Sequence, residues 1–308
     1  MKKTPVILAA CAALIVAAGI YGTARRPPPQ AVAPLLTSRS FAKLSRIQNT
    51  ERALADRLNA AREISTDLTN DELKQLIAFL SKPIDERNRE NDLMALNQVM
   101  DQLRVSGMAC GEYAKALCGL IRDPSIHPVV RDYAIQHSGQ WIKEARHNSS
   151  PAKLTEEDRK RLFDCIGTFL QQPASLQETA YGTALNVLRT LDSDYPQDSA
   201  DILVLCGPRI FEVAAGRESS PLANQVSAVQ TLPALPDRNA ALVLVRGLVG
   251  EVPTGSPLRL VAIATLSALG DQSDLATLRQ IQKEDSRVSY AARSAADRLE
   301  TTLLSNSR

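Results

Sequence analysis

The sequence predicts an all-α fold, specifically an α-solenoid of stacked antiparallel helical hairpins that follows an N-terminal membrane helix and a proline-rich linker. Three observations support this prediction. A short phrase ending in alanine recurs at intervals of 46, 48, 34 and 30 residues, the size of a two-helix repeat with variable loops. No stretch alternates apolar and polar residues in the manner of a strand. Aromatic residues make up 4% of the chain and hydrophobic residues 44%, so the core must be built mainly from aliphatic side chains.

Each copy of the phrase stands at the beginning of a predicted helix and ends in an alanine. The alanines of the five copies are Ala134, Ala180, Ala228, Ala262 and Ala292. In a solenoid every hairpin buries its apolar face against its neighbours, and a small side chain allows a close approach there. We therefore expect these alanines to lie at contacts between helices, where a charged side chain could not be accommodated.

The N-terminal residues 1–26 are predicted to hold a membrane helix. Pro5 to Gly22 is an uncharged run of 18 residues, with two lysines before it and two arginines after it. At about 1.5 Å per residue, the run just crosses a hydrocarbon core of about 30 Å. Since the lysines and the terminal amine slightly outweigh the arginines, we expect a single-pass inner-membrane anchor with the body in the periplasm.

A cleaved signal peptide is the alternative for the same segment, and it would give a secreted or periplasmic protein. Small residues stand near Gly22 to Ala24, as at a signal cleavage site. Against cleavage, Arg25 and Arg26 would follow the cut directly, and the apolar run is longer than a usual signal core. Residues 27–37 hold four prolines, which favour an extended, semi-rigid spacer between the anchor and the body.

Residues 38–107 form the predicted N-terminal helical region. A stripe of apolar residues predicts one helix over 38–65. Thr69 and Glu72 form a capping-box pattern that opens the next helix, which a proline ends. A third helix is predicted over about 85–105. Its inward-facing side chains are expected to be Leu93, Leu96, Met100 and Leu103.

Residues 108–308 are predicted to form the helical repeats. Helices are expected over the ranges 110–121, 128–145, 155–170, 176–191, 242–249, 257–269, 275–283 and 288–303. Thr155 to Asp158 is a capping-box pattern with an acidic first turn. Between residues 200 and 215, Gly207-Pro208 interrupts an apolar helical pattern, which predicts a kink or two short helices.

This C-terminal region resembles HEAT repeats. The best copy is Pro257 to Gly270, which has a proline, an arginine, several alanines and a closing Leu-Gly at the family's positions, and Asp123 with Val130–Ala134 is a second copy. Other copies are degenerate at the arginine position, where they have Gln177, Gln225 and Ser289. The resemblance extends over about residues 108–303. HEAT arrays are generally protein-interaction scaffolds, so the resemblance implies that this chain binds other proteins.

Four cysteines of the predicted body raise the question of disulfides in an oxidising compartment. They are Cys110, Cys118, Cys165 and Cys206. Cys110 and Cys118 cannot pair within one helix, because their separation of about 12 Å exceeds the limit of about 7 Å between bridged α-carbons. Each cysteine lies on an apolar stripe, where cysteine acts as a small hydrophobe. We expect free core thiols, with one bridge between hairpins as the alternative.

The sequence predicts no catalytic, cofactor-binding or metal-binding residues. His127, His137 and His147 are evenly spaced, but no thiol or carboxylate stands beside them at a metal-ligand interval. We expect each histidine at the surface or at a helix end. No glycine-rich phosphate loop, nucleophile elbow or paired-histidine motif is present in the sequence.

The charge pattern argues against a nucleic-acid partner. The formal charge is +2, and Lys2 and Lys3 account for both units, so the rest of the chain lacks the excess of cations that phosphates require. The charge run from Glu156 to Arg161 is interpreted as a solvated helix start. Arg131 and Arg259 are expected to bond an aspartate or a carbonyl of the adjoining repeat rather than a partner.

Together these features predict a non-enzymatic, membrane-tethered scaffold that binds another protein in the periplasm, with no cofactor. Two alternatives belong to other classes. The chain could be an accessory subunit of a membrane complex, since the alanines and the glycine of the anchor permit close helix contact. It could also be an exported enzyme or a lyase-like protein on a helical-repeat body, because some HEAT-like families that attach pigments have similar short repeats.

Overall fold

This computed structural model describes residues 37–64, 69–105, 110–147, 154–253, 256–283 and 286–306. Over these ranges the chain is all-α, with fourteen α-helices, two short 3-10 helices and no strand. The α-helices are α1 (Thr37–Gln48), α2 (Leu54–Arg62), α3 (Asn70–Leu80), α4 (Arg89–Val105), α5 (Gly111–Arg122), α6 (Pro128–Arg146), α7 (Glu156–Gln171), α8 (Thr179–Leu191), α9 (Pro196–Ala214), α10 (Leu222–Thr231), α11 (Arg238–Glu251), α12 (Pro257–Leu269), α13 (Gln272–Ile281) and α14 (Ser286–Asn306). The 3-10 helices are Pro173–Gln177 and Leu232–Ala234.

The predicted membrane anchor and linker lie outside the described residues. Among the helices that the structure does describe, none combines the length and the hydropathy that crossing a bilayer requires. Leu36–Arg308 forms one compact unit.

The helices pack in two rows. Each even-numbered helix contacts the next, from α2 through α4, α6, α8, α10 and α12 to α14, and we call this series the even row. The odd-numbered helices α1, α3, α5, α7 and α9 contact one another in the same order, and we call them the odd row. Neighbours along the chain, such as α5 with α6 and α11 with α12, join the two rows.

The recurring alanines are buried on helices of the even row. The five alanines of the phrase are all fully buried, and they lie one each on α6, α8, α10, α12 and α14. Their burial, which the prediction of close helix contacts requires, is confirmed. Two further alanines that the sequence comparison missed, Ala60 on α2 and Ala95 on α4, are also fully buried.

The repeat arginines bond within the protein, as predicted, although the carboxylate partner of Arg131 is a glutamate instead of an aspartate. Arg131 is buried, and its guanidinium donates to the carbonyl of Asp123 at 3.1 Å and to the carboxylate of Glu178, just before α8, at 2.6 Å. Arg259 is buried as well, and its Nε donates to the carbonyl of Val249 at 2.9 Å. Both arginines therefore satisfy backbone carbonyls left over at the end of the preceding helix or turn.

An arginine with the same geometry lies in the N-terminal helical region, where no repeat was predicted. Arg57 on α2 precedes the buried Ala60 by three residues, as Arg131 precedes its alanine. Its Nε donates to the carbonyl of Ile47 at 2.8 Å, and its Nη2 donates to Asp92 on α4 at 2.7 Å. The repeated pattern, in which the arginine binds a backbone carbonyl and a carboxylate at the next even-row helix, therefore begins at α2.

Three helix predictions are corrected by the structure. The single helix over 38–65 is two helices, because a turn after α1 is stabilised by the Asn49 side chain, which accepts from the amide of Glu51 at 2.9 Å. The third helix begins at Arg89, not near residue 85, and ends as predicted. The chain enters α8 through the 3-10 helix Pro173–Gln177, so the predicted helix from 176 is shorter by three residues.

The segment around Pro208 is one helix, and the prediction of two short helices is wrong. α9 continues through the proline for 19 residues. Proline removes the hydrogen bond to the carbonyl four residues earlier, and Pro208 and Val204 are both exposed on the same face. Solvent can therefore satisfy the carbonyl that the proline leaves without a partner.

The predicted core stripes are confirmed. All four inward residues of α4 are buried, as are the stripe residues of α7, namely Leu162, Cys165, Ile166, Phe169 and Leu170. Trp141 of α6 is fully buried, with its ring 5.6 Å from that of Tyr113 between ring centroids. The capping box at Thr69 is present, and Thr155 caps α7 by accepting from the amide of Asp158 at 3.1 Å.

Candidate protein-binding surfaces

Two of the four cysteines are bonded to each other, so the expectation of free thiols is wrong for them. Cys118 of α5 and Cys165 of α7 form a disulfide with a Cα–Cα distance of 5.6 Å, across neighbouring helices of the odd row. The predicted exclusion of a bond between Cys110 and Cys118 is confirmed. A signal was present in the sequence: the bonded cysteines are 47 residues apart, close to the interval of 46 between Ala134 and Ala180, so they occupy equivalent positions in successive repeats.

The other two cysteines are free thiols. Cys206 is buried on α9, and burial raises the pKa of its thiol to about 11. Cys110 is half-buried at the beginning of α5. Because the thiolate is the nucleophile, Cys206 is chemically inert at neutral pH.

The three histidines occupy different environments. His127 caps α6 by accepting from the amide of Val129 at 3.2 Å, and His147 ends the same helix beside Asp194, at 3.2 Å. These two match the prediction of helix-end positions, whereas His137 does not, because it is buried between α4 and α6. Its Nε2 lies 2.9 Å from Oδ1 of Asn97, and burial lowers its pKa to about 4. Among the residues that the structure describes, no group of three potential metal ligands occurs.

The charge run at the start of α7 is only partly solvated. Glu156 and Lys160 form an exposed pair at 2.9 Å, as predicted for a helix surface. Arg159, in contrast, is largely buried and forms an ion pair with Asp198 of α9, and its guanidinium lies 4.7 Å from the centroid of the Tyr195 ring. This part of the run therefore joins two helices of the odd row.

An apolar groove opens between α9 and α11. Its volume is about 520 Å³. α9 and α11 make no extended contact, and the 3-10 helix Leu232–Ala234 lies between them in contact with both. The apolar lining residues are Val204, Pro208, Phe211, Leu235, Pro236 and Ala240. Arg209, Glu212 and Asp237 give the groove a charged rim.

Exposed apolar side chains lie on the two helices that border this groove. Val204 and Leu205 on α9 are each 62% exposed, and Val243 on α11 is 69% exposed. Val243 stands one turn after the groove residue Ala240. On α11, Gly247 has open space where a Cβ would lie, so no packing among the described residues explains the glycine. A glycine in the interior of a helix costs about 1 kcal/mol relative to alanine.

A larger and more polar cleft lies between α12 and α14, with a volume of about 730 Å³. Ser267 and Ala268 of α12 form one wall. The other wall is one face of α14, consisting of Tyr290, Arg293, Ser294, Asp297, Arg298, Thr301 and Thr302. A third groove, of about 490 Å³, separates α3 from α5 in the odd row.

Comparison with known proteins does not supply a function. No protein-family model matches the chain, and no curated protein is significantly similar to it. The fold and the surfaces above therefore define the protein only as an all-α chain with two rows of helices and open grooves between them.

Proposed function

We propose that this protein is a non-enzymatic, protein-binding scaffold built as an α-solenoid of HEAT-like hairpins. The observation that carries the proposal is the even row, in which seven helices pack one against the next and each has at least one fully buried alanine. Serial packing of equivalent hairpins is the basis of a solenoid, and such arrays present long surfaces to other proteins. The arginine geometry at Arg57, repeated at Arg131, supports the same reading for the N-terminal helices.

We propose that the body works in an oxidising compartment, tethered by residues 1–26 to the inner membrane and held away from it by residues 27–37. The Cys118–Cys165 disulfide supports export, since disulfides persist in the periplasm and are rare in the cytosol. Cleavage of the N-terminal segment as a signal peptide is the alternative, and it leaves the compartment of the body unchanged.

The α9–α11 groove is the surface that we expect to bind the partner, and we propose that it receives a helix. Elsewhere in the odd row, as between α5 and α7 or α7 and α9, a neighbouring helix covers the apolar flank. Between α9 and α11 that cover is missing, and Val204 and Val243 are left in solvent. An amphipathic helix with apolar anchors one turn apart would fill such a groove.

Affinity capture from detergent extracts tests this proposal. The full chain and a chain without residues 1–26 should both recover the same stoichiometric partner. Val243→Glu should abolish recovery, because a charge would enter the apolar contact. Met94→Glu is the control, because it also places a carboxylate at an exposed apolar side chain, in this case on α4. It should have no effect on recovery.

Three results would go against the proposal. Recovery that requires residues 1–26 favours an accessory subunit that associates through its membrane helix. Recovery that survives Val243→Glu removes the groove from the proposal. Failure of both chains to retain any stoichiometric partner rejects the scaffold function itself.

A further inference from the structure

Tyr290 on α14 is an exposed aromatic side chain that packing among the described residues does not explain. Its side chain is 81% exposed, whereas the other aromatic side chains that the structure describes are buried or half-buried. Tyrosine has a large apolar ring and a polar hydroxyl, which makes it one of the residue types that dominate the energy of protein interfaces. An exposed tyrosine in a cleft is therefore a candidate anchor.

Two arginines lie on the same face of α14 as this tyrosine. Arg298 is held in place by Ser294, since its Nε donates to the backbone carbonyl at 3.2 Å and its Nη2 donates to the hydroxyl at 3.2 Å. Arg293 is exposed, one turn from Tyr290. Neither arginine forms an ion pair with another described residue, unlike Arg57, whose carboxylate partner lies at 2.7 Å. The cleft therefore presents two cations whose charges are not neutralised within it, against the single carboxylate of Asp297.

The dimensions of the cleft fit a short stretch of chain better than a single ion. From Tyr290 to Thr301 the face extends over eleven residues of helix, which is about 16 Å at 1.5 Å per residue. An extended chain covers that distance with about five residues. The opposite wall offers the small side chains Ser267 and Ala268, so a backbone can approach closely.

We propose that the cleft between α12 and α14 binds an acidic, extended segment of a partner protein. Tyr290 packs against an apolar side chain of that segment, and Arg293 and Arg298 pair with its carboxylates. This inference rests on the proposed scaffold function and adds the chemistry of one partner segment. A nucleic acid is disfavoured because the chain beyond Lys2 and Lys3 carries equal numbers of basic and acidic residues.

Fluorescence anisotropy with the full chain in detergent tests the proposal. The probe is a labelled seven-residue peptide in which glutamate alternates with leucine, and the comparison peptide has lysine in place of glutamate. We expect the glutamate peptide to bind at least about tenfold more tightly, with an affinity that falls as salt rises. Tyr290→Ala should weaken binding about tenfold or more, as loss of an interface anchor does.

The arginine variants show where the probe binds. Arg293→Gln combined with Arg298→Gln should remove both the preference for glutamate and the salt dependence. Arg122→Gln is the matched control, because Arg122, at the end of α5, is an exposed arginine that forms no ion pair with another described residue. All four substituted side chains are exposed or at the surface, so the variants should keep the circular-dichroism spectrum and melting temperature of the parent chain.

The inference is overturned if the two peptides bind equally, or if the cleft variants bind the glutamate peptide as well as the parent does. It is also overturned if sedimentation shows a dimer that the arginine variants dissociate, since the acidic segment would then belong to a second copy. If the peptide experiment fails but a partner is captured from extracts in a Val243-dependent way, only the cleft inference is rejected and the scaffold function is supported. Peptide binding without any captured partner supports the cleft and rejects the scaffold.

Discussion

The even and odd rows belong to one chain, but their helices are joined by different means. Every even-row helix from α2 to α14 has at least one fully buried alanine. In the odd row, Ala114 on α5 and Ala214 on α9 are fully buried, whereas α3 and α7 have no buried alanine. The odd-row helices α5 and α7 are joined by the Cys118–Cys165 disulfide, α7 and α9 are joined by the Arg159–Asp198 ion pair, and α9 is separated from α11 by a groove.

The difference shows how one repeat can supply both stability and an open surface. The fully buried alanines of the even row lie inside the protein, where a charged side chain has no partner. Open grooves lie along both rows, between α3 and α5 and between α9 and α11 in the odd row, and between α12 and α14 in the even row. We expect substitutions at the buried alanines to damage the fold and substitutions at the groove surfaces to damage binding.

The largest effect is expected from a charge at an even-row contact. Ala262→Asp should destabilise the C-terminal helices by about 4 kcal/mol or more, because an unpaired carboxylate would be buried against α10 and α14. Ala264→Asp on the same helix is the matched control, since Ala264 is exposed. Chemical denaturation measures both. Equal stability of the two variants would show that the even-row register is wrong.

A smaller loss is expected when the odd-row disulfide is removed. The bond closes a loop with a sequence separation of 47 residues, for which chain entropy gives a stabilisation of about 4 kcal/mol as an upper value. Cys118→Ala combined with Cys165→Ala should lower the free energy of unfolding by most of that amount. Cys110→Ala, at the half-buried free thiol, should be nearly neutral. If a reducing agent leaves the melting temperature of the parent unchanged, the two thiols are not bonded.

The smallest effect depends on pH and tests the α4–α6 contact. Burial lowers the pKa of His137 to about 4 from an ordinary value of 6.5, with Arg104 also disfavouring the charged ring and Asp101 favouring it. The folded state therefore binds this proton less well than the unfolded state does. The contribution to stability is fully present above pH 6.5 and is lost as the pH falls to 4, by up to roughly 3 kcal/mol.

Comparison with His137→Gln isolates this contribution, because carboxylates that titrate in the same range are common to both proteins. The free energy of unfolding should fall less steeply between pH 6.5 and 4 in the variant. Parallel curves for the two proteins would mean that His137 is protonated as readily in the folded state as in water.

Much of the local structure could be predicted from the sequence, because helical periodicity and caps are properties of neighbouring residues. The stripes of α4 and α7, the capping box at Thr69 and the five buried alanines all follow from spacing along one helix. The turn after α1 was missed because the apolar residues on either side happen to keep the spacing of one helix.

The sequence by itself determined that the chain is helical and which face of each helix is buried, since both depend on residues three or four positions apart. Only the tertiary structure decided which distant residues meet: Cys118 with Cys165, His137 with Asn97, and Arg57 with Asp92. These partners are separated by 35 to 47 residues, and the turns between hairpins decide how the helices that carry them align. The grooves depend on the same alignment, because each is lined by side chains of helices that are not neighbours along the chain.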